Sequence, residues 1–128
     1  MDKLQALHSF WSGFSIPAYD ETTVPDEKER IKQYGSAFPY ITYEVATSDF
    51  NNDVALSASL WYRSESWSAI TAKCNEIGTE ISRGGKLVQF DGGAFWIRKS
   101  PIWAQRLSEP NDDMVRRILL NINIEFLD

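Results

Sequence analysis

Apolar and polar residues alternate with period two along the last stretch of the chain. Arg116, Ile118, Leu120, Ile122, Ile124 and Phe126 fall on one side, and Val115, Arg117, Leu119, Asn121, Asn123, Glu125 and Leu127 on the other. That period predicts a long strand with its first face in a core and its second toward solvent or a partner. Val54, Leu56, Ala58, Leu60 and Tyr62 alternate in the same way with Ala55, Ser57, Ser59, Trp61 and Arg63. A β-rich run, Tyr40 to Val45, precedes them, and Asn51-Asn52-Asp53 is a turn signal, so the two runs are expected to pair as a hairpin. Lys86 to Phe90 and Ala94 to Lys99 flank Asp91-Gly92-Gly93, a second hairpin signal.

The period changes elsewhere. Trp67, Ile70, Cys74, Ile77 and Ile81 recur at spacings of three and four behind Ser66, a good helix cap, and Gly84-Gly85 is read as the stop. Leu4, Leu7, His8 and Trp11 predict a shorter helix over 2–13, with Asp2 at its start and Gly13 at its end. Ile16-Pro17-Ala18-Tyr19 suits a short edge strand, because proline cannot donate to a central ladder. Residues 20–38, crowded with charge, read as a long connection, and residues 100–113 as irregular. The expected fold is therefore α+β, with two helices packed on one face of an antiparallel or mixed β-sheet, in a single domain over 1–128.

Composition narrows the functional classes. The 128 residues include 13 Lys+Arg and 18 Asp+Glu, a net charge of −5. No basic run is present to neutralise phosphates, which argues against a protein that grips nucleic acid. One Cys excludes an internal disulfide and a multi-cysteine zinc site, and one His excludes sites built from several imidazoles. No stretch nears the ~20 apolar residues that span a bilayer, and the start, Met1-Asp2-Lys3, opens an amphipathic segment and not a secretory signal. A soluble protein made in the cytoplasm, with a reduced Cys, is expected.

The reactive side chains do not assemble a reaction centre. Cys74 with His8 as its base is the one nucleophile pairing available, yet Cys74 falls in the middle of an apolar helical stripe, the usual place of an inert thiol. The carboxylates occur in polar runs, where water holds them near ordinary pKa values. Arg83-Gly84-Gly85-Lys86 follows a helix instead of preceding one, so no helix N-terminus points at an anion there. No enzyme activity, cofactor or metal is expected.

Aromatic residues make up 13% of the chain, 5 Trp, 5 Tyr and 7 Phe. That is more than a core of this size requires. Trp11 and Trp67 belong to it, whereas Trp61, Trp96 and Trp103, with Arg63 beside the first, lie among polar neighbours and are candidates for a subunit interface.

Several strings carry a family resemblance over nearly the whole chain. They are Leu7-His8-Ser9-Phe10-Trp11 leading to Ile16-Pro17-Ala18-Tyr19, Val24-Pro25-Asp26, Phe38-Pro39-Tyr40-Ile41-Thr42-Tyr43-Glu44, and Ala58-Ser59-Leu60-Trp61-Tyr62-Arg63-Ser64 followed by Ser66-Trp67. The Asp91-Gly92-Gly93 turn and Asp112-Asp113-Met114-Val115-Arg116-Arg117 complete the set. Together they resemble the tail terminator, or tail completion, proteins, minor tail proteins of long-tailed bacteriophages and prophages. The resemblance implies a structural subunit of the virion tail, assembled in the host cytoplasm. It would join copies of itself in a ring, a hexamer by analogy, cap the tail tube, end its polymerisation and meet the head–tail connector protein. DNA would pass through without specific binding, and no membrane is involved. Acidic loops facing the lumen would repel phosphate; Asp26, Glu27 and Glu29, or Asp112 and Asp113, are the candidates. A head-completion or connector protein is the alternative reading, and a small enzyme a remoter one.

Overall fold

The chain's own capping chemistry sets the helix ends in the structure, a computed structural model that describes residues 1–45 and 53–127. Helix α1 (Lys3–Ser12) starts on a reciprocal cap: Asp2 accepts from the Gln5 N–H, and the Gln5 side chain accepts from the Asp2 N–H. It buries Ala6, Leu7, Phe10 and Trp11, so the inward stripe lies one position round from the predicted one, and Leu4 and His8 are exposed. Helix α2 (Glu27–Tyr34) occupies the stretch expected to be a connection. Asp26 caps it by accepting from the Glu29 N–H at 2.9 Å, Glu27 and Glu29 sit in its positive first turn, and Gly35 closes it in the left-handed conformation. Helix α3 (Ser68–Ile81) buries Ile70, Cys74, Ile77 and Ile81, as the spacing predicts. Ser66 accepts from the Ser68 N–H at 3.0 Å. The helix ends on Ser82, ahead of the glycine pair read as its stop.

Six strands form one mixed sheet in the order β1-β2-β3-β6-β5-β4. These are β1 (Ala18–Asp20), β2 (Tyr40–Tyr43), β3 (Asp53–Arg63), β4 (Lys86–Phe90), β5 (Gly93–Leu107) and β6 (Val115–Leu127). Only β1 and β2 run parallel; the other neighbours are antiparallel. The β2–β3 pairing is the expected hairpin, although Asn51 and Asn52 of its turn lie outside the described residues. Strand β5 reaches Leu107, absorbing half of the segment expected to be irregular. A register shift between Lys99 and Ala104 accommodates Pro101, whose ring nitrogen cannot join a regular ladder.

The register assigns the two faces. Ala58 opposes Leu120, and Ile97 opposes Ile124; these four residues share one hydrophobic cluster with the buried side chains of α1 and α3. Each fully buried Ile or Leu in it contributes about 2 kcal/mol. The opposite face carries Ser59, Trp61, Arg117, Asn121, Asn123, Glu125 and Trp96. Both tryptophans fall there because their partners, Arg117 and Glu125, are an even number of residues apart on β6. Among the described residues the architecture thus mixes α and β, with one mixed sheet and three helices where two were expected.

Candidate interaction surfaces

On the face opposite the core, aromatic rings and guanidinium groups form a stack. The Tyr40 ring lies parallel to Trp61 at 5.9 Å, with Arg30 of α2 over Tyr40 at 4.4 Å and Arg117 over Trp61 at 4.5 Å. The sheet register makes this possible, since Tyr40 directly opposes Trp61 and Trp61 directly opposes Arg117. Polar groups fix the stack in place. The Trp61 indole N–H donates to Thr42 Oγ1 at 2.9 Å, Arg117 Nε donates to Ser59 Oγ at 3.1 Å, and Arg30 donates to the carbonyls of Pro25 and Ala37. Arg30 is the single buried residue of α2, so the stack is also what anchors that helix.

The three candidate tryptophans occupy three settings. Trp61 belongs to the stack. Trp96, further along the same face, lies under Arg98 at 4.3 Å and donates its indole N–H to the Gly84 carbonyl at 3.1 Å. Gly85 makes room for it: φ there is +91°, and a Cβ would stand 2.4 Å from Trp96 Nε1 and 2.8 Å from the Ile97 carbonyl. The glycine pair thus serves Trp96 and the turn into β4. Trp103 lies on the other side, against α3, where a Cβ on Gly78 would come within 3.2 Å of its indole nitrogen. The register shift in β5 lets Trp103 and Ala104 both pack against the core. All three tryptophans are half-buried.

Arg63 and Asp112, drawn from the interface and lumen candidates respectively, are partners in an ion pair. Asp112 also accepts from the Met114 N–H at 2.9 Å. That backbone bond first, and the Arg63 guanidinium second, hold its carboxyl below the usual aspartate range. Asp113 is exposed, and its carbonyl accepts from Arg116. Asp26, Glu27 and Glu29 are gathered at the start of α2, with Asp26 committed to the cap.

Large exposed apolar side chains lie elsewhere. Leu87 on β4 is 55% exposed, Tyr34 and Ile31 on α2 are 59% and 46%, and Ile102 in the irregular part of β5 is 63%. Sequence reasoning passed over all four. Leu87 had a signal, its place opposite Trp96 in a hairpin, and Tyr34 and Ile31 had none once α2 was read as a connection.

Cys74 and His8 have separate partners. The thiol is buried in α3, which pushes its pKa up, with a hydrogen bond to Trp103 and the Lys99 charge acting the other way. His8 Nδ1 lies 2.7 Å from the Tyr43 hydroxyl. Among the described residues no group of three or more His, Cys, Asp and Glu side chains is placed to hold a metal, and no helix is long and apolar enough to cross a membrane. No protein-family model, curated protein or solved structure matches the chain.

Proposed function

We propose that the chain is a structural subunit of a phage tail terminator. In this reading copies of it close into a ring, with six as the expected number, that caps the tail tube, stops its growth and joins it to the head connector. The observation that carries the reading is the separation of the exposed apolar side chains. Leu87 stands on β4, at one end of the strand order, and Ile31 and Tyr34 stand on α2 beside β1, at the other. A ring is built from heterologous contacts and needs two different patches per subunit, whereas a two-fold dimer needs one. The resemblance of the framework and turn strings to tail terminators supports the same conclusion. α1 and α3 would cover one face of the sheet, leaving the face of Trp61 and Trp96 toward neighbours, with no reaction centre required. The acidic residues at the start of α2, or Asp112 and Asp113, would face passing DNA and keep it from adhering.

The stage at which assembly stalls tests this. Without the chain, a tail terminator leaves filled heads beside overlong or unattached tails in electron micrographs. Heads that leak DNA, with tails of normal length, would instead identify a head-completion protein and refute the reading. Infectious particles formed by Cys74→Ala and His8→Ala variants would dispose of an enzyme that uses either residue.

A further inference from the structure

Beside α3 runs a groove that the surfaces above do not use. Two hollows, of about 480 and 520 Å³, adjoin at Asn75 and together run along the helix, from Ser66 ahead of it to Arg83 beyond it, with β5 as the facing wall. Three cations border it, Arg83, Lys99 and Arg106, and two tryptophans, Trp103 and Trp67, supply its rings. No carboxylate is among its described lining residues. None of the three cations joins any ion pair between described residues; Lys99 and Arg106 lie over Trp103 and Trp67 instead. In a chain of net charge −5, a groove bordered by three cations that pair with no described carboxylate is a local positive focus that selects an anionic occupant.

The complementary charge is present in the same chain but out of reach. Glu21, Asp26, Glu27 and Glu29 likewise join no ion pair among described residues. Like charges crowd there: burial raises the Glu21 carboxyl, Glu44 and Asp20 push it further, and the Arg117 charge acts the other way. This segment adjoins β1, and three strands lie between β1 and β5. Four strand spacings amount to about 19 Å along the sheet, so groove and segment of one molecule do not meet.

We infer that the groove between α3 and β5 receives the acidic segment 20–29 of a second copy of this chain, and that this is the head-to-tail contact of the assembly. The inference rests on the ring reading, adds a charged contact to its two apolar patches, and leaves Asp112 and Asp113 as the acids that face passing DNA. Each contact leaves one groove and one segment free, so association proceeds until the ring closes. Exposed charge pairs set register and encounter rate more than affinity, so the contact weakens as salt is added.

Charge reversal on each side tests it, read as mass by sedimentation or native mass spectrometry. Arg83→Glu with Lys99→Glu spoils the groove, and Glu21→Lys with Glu27→Lys spoils the segment. All four side chains are exposed or at the rim of a hollow. Each double variant is expected to self-associate at least about tenfold more weakly than the natural chain. Mixed one to one, the two should assemble in alternation, because the natural groove of one takes the natural segment of the other and the reversed groove takes the reversed segment. The chain carrying all four reversals should assemble again. Assembly by either double variant at the natural strength overturns the contact, and so does a mixture that stays monomeric. Should a double variant lose its circular-dichroism spectrum, the natural chain decides: assembly unchanged from about 0.1 M to 1 M salt, or absent altogether, overturns the inference. A ring indifferent to these reversals leaves the tail reading standing, and that reading falls only on the phenotype described above.

Discussion

Replacing Trp61 with alanine takes the centre out of the stack on the outer face. The parallel ring contact with Tyr40 contributes about 1 kcal/mol beyond the area it covers. Arg117 over the other side of the indole adds about 0.5–1 kcal/mol at this half-buried site, and the hydrogen bond to Thr42 about 1 kcal/mol. Thr42 is itself buried, so its hydroxyl loses a partner where water is scarce. The total is about 3 kcal/mol, set against an overall stability of roughly 5–15 kcal/mol. Trp61→Ala is therefore expected to stay folded at room temperature while its Tm falls by about 10 °C. Trp61→Phe keeps a ring on Tyr40 and loses the N–H, for about 1 kcal/mol. Thermal and urea unfolding followed by far-ultraviolet circular dichroism measures both. If Trp61→Ala unfolds within about 0.5 kcal/mol of the natural chain, the stack does not stabilise this face. Weakened ring assembly by this variant is evidence of an interface only when measured well below its own Tm.

Gly85→Ala should cost about 2–4 kcal/mol in urea unfolding, since it combines a positive φ with a Cβ only 2.8 Å from the Ile97 carbonyl, which is backbone and cannot swing away; a loss below about 0.5 kcal/mol would show that the turn relaxes freely. Asp112 has a lowered carboxyl pKa, so its contribution is complete above the ordinary aspartate value of about 3.9 and disappears as pH falls through the lower folded-state value. Asp112→Asn should accordingly be less stable than the natural chain at neutral pH and equal to it in strong acid; a gap independent of pH would refute the assignment. Cys74, buried and with a raised pKa, should react with a thiol reagent only as fast as the chain opens, and stoichiometric labelling within seconds under native conditions would contradict its placement.

Legibility followed the strength of each local period. The last strand and the helix behind Trp67 could be read directly, because buried partners enforce a period of two in one and of three to four in the other. The α2 helix was hidden because its only buried residue is an arginine, so it has no apolar stripe. Its capping chemistry was in plain view all the same: Asp26, two acids in the first turn, Lys32 in the last and Gly35. The far half of β5 was obscured by Pro101 and by a register shift that no two-residue period can express, and the same shift turns Trp103 toward α3. Of the candidate surface residues, the pairing of Arg63 with Asp112 was invisible because 48 residues separate them and only the sheet brings them together. The charge excess was legible as a number but not as a pattern, since a groove bordered by cations and a segment rich in acids average out to a moderately acidic chain.

The central claim is that this chain ends the growth of a tail tube, and in vitro growth of tubes from purified tube protein tests it most directly. Added during polymerisation, the chain should halt lengthening and appear as a ring of density on one end of each tube in electron micrographs. Tubes that continue to lengthen at the same rate, with the chain left in the supernatant after sedimentation, would contradict the account.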